Sequence, residues 1–358
     1  MLNFTVGPVM SDSEVLKIAS VSTPYFRTPE FSQTMIESEK LLLKFLNAPQ
    51  HSRCVFLTTS GTGAMESCVI NLLNGKDKVI VVNGGSFGQR FVELCDLHNI
   101  NYDELKCQFG AQITEKQLEY FSGKGYTALL VNMHETSSGV LYDMEMISSF
   151  CKENGMMLII DAISSFLSDE INMDKLGATA VITGSQKALA VQPGVSIVAL
   201  APEALERVEK NPEICLYLSL KQALKNMERG QTPFTPAVTI LLQINKRLND
   251  IEKNGGIVEE RRRISDLAKY FRDRIVKYPF EFVNSCSSNT VTALYTKNSD
   301  ASEIVRVLKD EYNIWVCPNG GDLATRMFRV GHIGNLTSED YDMLFDAFDD
   351  MIERNILK

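Results

Sequence analysis

Between residues 54 and 201, short strand-like runs recur between segments of helix length: CVFLTT, KVIVVN, NYDELKC, TALLVNM, MLIIDA, AVITGS and VSIVAL. Short, mostly β-branched and apolar runs bounded by polar or glycine-bearing turns predict buried strands of a mostly parallel sheet with helices on both faces. The predicted class is α/β. Ligands of such sheets sit outside the carboxyl ends of the strands, so the residues just after each run are where a site is to be sought.

Beyond residue 235 the spacing changes. The stretch AVTILLQINKRLNDIEKNGGIVEERRRISDLAKYFRDRI carries apolar residues at helical intervals and is interrupted at Gly255-Gly256, which predicts two long helices. After them FEFVN, TVTALYT, NIWVCPN and TRMFRVGHI, with helical patterns near 301–311 and 338–354, predict a smaller α+β domain. The expected division is an N-terminal segment 1–15, a large α/β domain 16–250 and a small C-terminal domain 251–358.

The 358 residues, 44% hydrophobic and 23% charged, are ordinary for a globular enzyme. A net charge of -9 argues against general affinity for nucleic acid or an anionic membrane, since both need a basic face. No run reaches the length of a membrane span, and MLNFTVGPVMSDSE lacks the basic and apolar regions of a signal peptide. A cytoplasmic location is expected. The eight cysteines are scattered with no C-x-x-C pair, as buried thiols of a reducing compartment would be. His51, His98, His134 and His332 show no ligand spacing, so no metal is expected.

The strand ends read TTSGTGAME, NGGSFGQR, HETSSGV, DAISS and TGSQKAL. Ser60-Gly61-Thr62 precede a helical pattern whose free N–H groups would receive an anion; taken alone this is a weak signal, since Ser/Thr/Gly before a helix is more often an ordinary N-cap. No P-loop and no G-x-G-x-x-G accompanies them. Asp161 ends an apolar strand, where a lone carboxylate is costly without a partner. Phe87 offers a flat ring, or simply core packing, and Thr136 a hydroxyl or a turn cap. Lys187 in GSQKAL follows a segment suited to burial. An anion site, a stacking ring, a buried carboxylate and a lysine on neighbouring strand ends are together what pyridoxal 5'-phosphate requires: an amine to join its aldehyde and a carboxylate to keep its ring nitrogen protonated.

These motifs resemble the class V aminotransferases of fold type I, within them the alanine-glyoxylate, serine-pyruvate and 2-aminoethylphosphonate-pyruvate group. The resemblance runs through FTVGPVMSDSEVL, YFRTPEF, TSGTGAMES, NGGSFGQRF, HETSSGVL, IIDAISS, GSQKAL, TPFTPAV and FRVGHIG, nearly the whole chain. It implies a large domain with a mostly parallel seven-stranded sheet, a small C-terminal domain, and a homodimer with shared sites. It further implies Lys187 as the cofactor's covalent anchor and base, Asp161 at the ring nitrogen, Phe87 on the ring and Thr136 near the phenolic oxygen. Ser60, Gly61, Thr62 and Gln186 would hold the phosphate, joined by Thr235 of the neighbouring subunit. Arg329 would bind the substrate carboxylate. Thr232 stands where relatives often have another phosphate-contacting side chain. For Arg27 two readings stand side by side: a cation for a distal acidic group of the donor, or a partner of Glu30 or another structural carboxylate.

The activity implied is transfer of an amino group from a small donor (alanine, serine or 2-aminoethylphosphonate) to pyruvate or glyoxylate in two half-reactions. A lyase or decarboxylase on the same cofactor, or a non-catalytic paralogue, are the alternatives. Cysteine desulfurases usually carry histidine before the lysine, whereas Gln186 stands here.

Overall fold

The computed structural model describes residues 1–358. The first strand, β1 (Leu2–Phe4), is followed by β2 (Arg53–Leu57), β3 (Lys78–Asn83), β4 (Asn101–Lys106) and β5 (Ala128–Asn132). A short hairpin of β6 (His134–Glu135) and β7 (Val140–Leu141) comes next, then β8 (Met157–Asp161), β9 (Ala180–Gly184) and β10 (Ser196–Leu200). Seven of these strands form one sheet in the order β2-β10-β9-β8-β5-β3-β4. Every run predicted to be a strand of this sheet lies in it.

Only β10 opposes its neighbours, with Ser196 facing Leu57 on one side and Gly184 on the other; the remaining pairs are parallel. Strands β5 and β9 are buried at every residue, as their unbroken apolar character dictates. At the edge, β4 exposes Asn101, Asp103 and Lys106 and buries Leu105, which accounts for the mixed composition of NYDELKC. Helices Gly61–Leu72 and Ser86–Leu97 follow β2 and β3 and pack onto the sheet.

The two long helices are Val238–Lys253 and Gly256–Ile275. They lead to β11 (Phe280–Phe282), β12 (Val291–Thr296), β13 (Ile314–Pro318) and β14 (Met327–Gly331), which form a second sheet in the order β1-β13-β14-β12-β11. Helices Ala301–Tyr312 and Ser338–Glu353 belong to this part. Phe4, Phe271, Phe328, Tyr341, Phe345 and Phe348 are wholly buried in its core, separate from the core of the large sheet.

One pairing had no local signal. β1, from the chain's start, lies parallel to β13 with Leu2 opposite Ile314 and Phe4 opposite Val316. Three residues are too few for a period to declare itself, and the pairing joins positions more than 300 residues apart. Its consequence is local to the site: the chain leaving β1 passes directly over the turn that follows β9. No helix is long and apolar enough to cross a membrane.

Candidate active site

Strands β9, β8, β5 and β3 are neighbours and parallel, so their carboxyl ends open on one edge. Gly184, Asp161, Asn132 and Asn83 are their last residues. Parallel pairing therefore converts four distant segments into one rim.

Lys187 stands on the tight turn after β9. Its Nζ donates to the Val6 carbonyl at 2.5 Å, within the segment that leaves β1. Gly7 there has φ +126°, and a β-carbon would come 2.8 Å from Lys187 Cδ, so both the backbone shape and the space call for glycine. Burial pushes the amine down to about 8; Arg329 and Arg90 push the same way, while Cys317 and Asp161 pull it back. At pH 7 about a tenth of the amine is unprotonated and can act as a base, far more than of an ordinary lysine.

Asp161 is buried, and burial raises its carboxyl to about 6. The Ile163 N–H donates to Oδ1 at 2.8 Å, the Asn132 amide donates to Oδ2, and both, with Lys187, favour the charged form. A cationic ring nitrogen facing this carboxylate would hold it charged outright.

At the head of helix Gly61–Leu72 the N-cap is Ser60, yet its side chain makes no capping bond. The hydroxyls of Ser60 and Thr62 and the amide of Gln186 have no partner in the protein, and the first N–H groups of the helix point outward from the same end. A β-carbon at Gly61 would fall 2.3 Å from Ile163 Cδ1, so glycine lets the helix head close onto the Asp161 turn. Donors without a protein partner at a helix N-terminus, beside a buried carboxylate and a lowered lysine, fit a phosphorylated pyridine aldehyde.

Phe87 lies in the first turn of helix Ser86–Leu97, and Glu135 fixes that turn: its carboxylate accepts from Gly88 N at 3.0 Å, Phe87 N at 3.3 Å and Ser137 Oγ at 2.5 Å. Thr136 Oγ1 and Ser164 Oγ are 2.6 Å apart. The Arg329 guanidinium, on β14 of the second sheet, donates to Thr136 O at 2.9 Å and to Pro318 O at 2.8 Å. It has no acidic partner, and its Nε is buried without any partner. A cation so placed has capacity for a carboxylate that the chain itself does not provide.

Lys187, Asp161, Thr136 and Arg329 are thus brought together. Arg27 is engaged elsewhere: it forms no pair with Glu30 or any other carboxylate but donates to Thr232 O at 2.8 Å, Gln231 Oε1 at 3.2 Å and Pro233 O at 3.2 Å. Those three bonds staple the 231–233 loop to the start of the chain. Thr232 is buried, its hydroxyl turned to Phe234 O at 2.7 Å. Thr235 is exposed, next to Phe234, whose ring stacks on Tyr217 at 5.7 Å.

Two residues escaped the sequence reading. Asn132 and Glu135 are both buried. The available signal was a polar residue closing the apolar run TALLVN and a carboxylate just beyond it.

A sequence profile described as aminotransferase class-V matches residues 17–332. The soluble hydrogenase 42 kDa subunit of Anabaena cylindrica is 30% identical over 321 residues, spanning 88% of this chain and 83% of the relative. The serine–glyoxylate aminotransferase of Arabidopsis thaliana is 26% identical over 346 residues, 93% and 85% of the two chains. Among solved structures, an aspartate aminotransferase of Thermus thermophilus superposes with a TM-score of 0.91 over 100% of both chains at 25% identity.

Proposed function

Since this chain belongs to the class-V aminotransferases, we propose that it binds pyridoxal 5'-phosphate and moves the amino group of alanine, serine or 2-aminoethylphosphonate onto pyruvate or glyoxylate by a ping-pong cycle. The observation that carries the substrate class is the Arg329 guanidinium, free of any acidic partner beside Thr136. With Arg27 committed to the 231–233 loop, the small monocarboxylic donors alanine and serine are favoured, in keeping with the serine–glyoxylate name of the Arabidopsis relative.

When bound, the cofactor supplies an aldehyde that takes up the amine and a ring that accepts the electron pair left as the donor's Cα proton departs. In the proposed mechanism Lys187 anchors the group and, once displaced, removes that proton from Cα. Its lowered basicity, caused by burial, suits it to do so near neutral pH. Asp161 would favour positive charge at the ring nitrogen, and Phe87, whose turn Glu135 fixes, would offer its flat face to the ring. Arg329 orients the α-carboxylate through parallel charge-assisted bonds.

The test is a screen of purified enzyme with alanine, serine, aspartate and 2-aminoethylphosphonate, reading conversion of the aldehyde absorbance to that of pyridoxamine phosphate. Failure of all four to convert it, with another product accumulating, overturns the reading. Arg329→Ala removes two charge-assisted bonds of roughly 1.5–3 kcal/mol each. The acceptor KM should rise on the order of 100-fold or more while cofactor affinity changes little; equal losses in both would make Arg329 structural.

A homodimer with shared sites belongs to the same proposal. Ile214, Leu216, Tyr217 and Phe234 are exposed around Thr235, an apolar surface of the kind that association covers. Thr235 would then serve the partner's phosphate. Sedimentation at micromolar concentration should give twice the chain mass of 40.0 kDa; a monomer that turns over would remove this part. The two separate cores support a large and a small domain, with the change from one core to the other falling within helix Gly256–Ile275 rather than at residue 250: Ile251 and Ile264 pack with the large sheet, Leu267 and Phe271 with the small one, which also takes Phe4 from the chain's start. A cytoplasmic location belongs to the same proposal.

A further inference from the structure

Asp161 does not stand alone at the end of β8. In the parallel pair β5–β8 its register partner is Asn132, the last residue of β5. Opposed residues of adjacent strands project to the same face, and here the two side chains meet: Asn132 Nδ2 donates to Asp161 Oδ2. With the Ile163 N–H on Oδ1 at 2.8 Å, each carboxylate oxygen has one fixed donor. Two donors of different origin set the plane of the carboxylate and leave its remaining lone pairs free for a third.

Asn132 occupies its place at a cost. It is 2% exposed, it closes a run of apolar residues, and its own Oδ1 has no partner. An unsatisfied buried oxygen costs about 1–3 kcal/mol, and a leucine would continue the apolar pattern of TALLV without that penalty. What asparagine provides that leucine lacks is the donated bond to Asp161. The ionisable groups facing the Asp161 carboxylate from neighbouring elements are Lys187 on the turn after β9, Glu135 on β6 and the Cys68 thiol on helix Gly61–Leu72. Burial is the largest influence and opposes the charged form; against it the Ile163 and Asn132 hydrogen bonds weigh more than Lys187, which also favours the charge, or Glu135, which opposes it.

We infer that Asn132 is a positioning residue that keeps the Asp161 carboxylate charged and in one orientation toward the cofactor's ring nitrogen. The inference rests on the reading of this rim as a pyridoxal phosphate site. It makes Asn132 act on the reaction only through Asp161, and it ties the acid limit of cofactor retention to one amide.

The test uses the full chain freed of cofactor. Dissociation constants for pyridoxal phosphate are measured by equilibrium dialysis from pH 5.5 to 8.5 for the wild type, Asn132→Leu and Asn132→Ser, alongside melting temperatures. Wild-type affinity should fall on the acid side as Asp161 takes up a proton. Without the donated bond the protonated form gains, so in Asn132→Leu the fall should begin about one pH unit higher. With the wild-type carboxyl near 6, that corresponds to roughly threefold weaker binding at pH 6.5, approaching tenfold at pH 5.5, and almost no change at pH 8.5, one unit being a factor of ten only where both wild type and variant are mostly protonated. Asn132→Ser, which keeps a shorter donor, should lie between and secures the result if the leucine variant folds poorly. Equal weakening at every pH, or an acid limb that does not move in either variant, overturns the inference whatever happens to the melting temperature. A wild type that takes up no pyridoxal phosphate at any pH would overturn the site reading itself, which is a different result.

Discussion

Replacing Lys187 by alanine should lower the rate of the amino-donor half-reaction by about 10²–10⁴-fold, the range for a positioned general base, with the covalent anchor lost in addition. The absorbance band of the lysine-bound cofactor should disappear, while the phosphate site proposed at Ser60, Gly61, Thr62 and Gln186 should still retain the cofactor without a covalent bond. The fold should survive, because the only hydrogen bond lost is that to Val6 O, a contribution of about 1 kcal/mol. In the wild type, the amine held near 8 by burial must be neutral to accept a proton, so the proton-transfer rate should rise with pH toward about 8 and then level. Stopped-flow spectroscopy across pH 6 to 9 reads both effects. A variant turning over within a factor of ten of the wild type would sink the assignment of the base.

The second large effect is expected at Asp161, where activity and stability should move differently. Asp161→Asn keeps the size but removes the charge opposite the ring nitrogen, and losses of comparable preorganised electrostatic contacts run on the order of 10²–10³-fold in turnover. Stability follows the opposite logic in the cofactor-free protein. Burial raises the folded carboxyl to about 6, above roughly 3.9 for an unfolded aspartate. As pH rises between these values the unfolded chain gives up its proton first, so this group's contribution to stability declines across about pH 4 to 6 and stays low above. Two units correspond to roughly 2–3 kcal/mol. The amide replacement is exempt from that penalty, although it leaves one of two donors, Ile163 N–H or the Asn132 amide, without an acceptor. The melting temperature of the variant minus that of the wild type should therefore be greater at pH 8 than at pH 5. A difference independent of pH, or smaller at pH 8, would show that burial does not penalise this carboxylate.

The expectation for Arg27 shows where residue-level reading stops. A cation in FRTPEF is equally suited to a ligand, a carboxylate or carbonyl oxygens, because an isolated guanidinium offers five donors and no preference among acceptors. Three carbonyl oxygens from a segment more than 200 residues away claimed it. Glu135 is the converse case. Nothing in HETSSG distinguishes a turn carboxylate from one that caps the helix carrying Phe87, and the distinction appears only when β5 and β3 lie side by side.

By itself the sequence determined the class of the fold, the strands of the large sheet, and the types of group at their ends. Burial of short apolar runs is a local property that alternation and turn residues record. Lys187 and Asp161 were legible for the same reason, since a charge closing an apolar run has to be explained by a partner. The tertiary structure alone decided which ends meet. Strand order, the return of β1 across the Lys187 turn, the Asn132–Asp161 bond and the lack of an acidic partner at Arg329 depend on contacts between segments far apart in the chain, whose hydrogen bonds are satisfied or left open only when the sheet has closed.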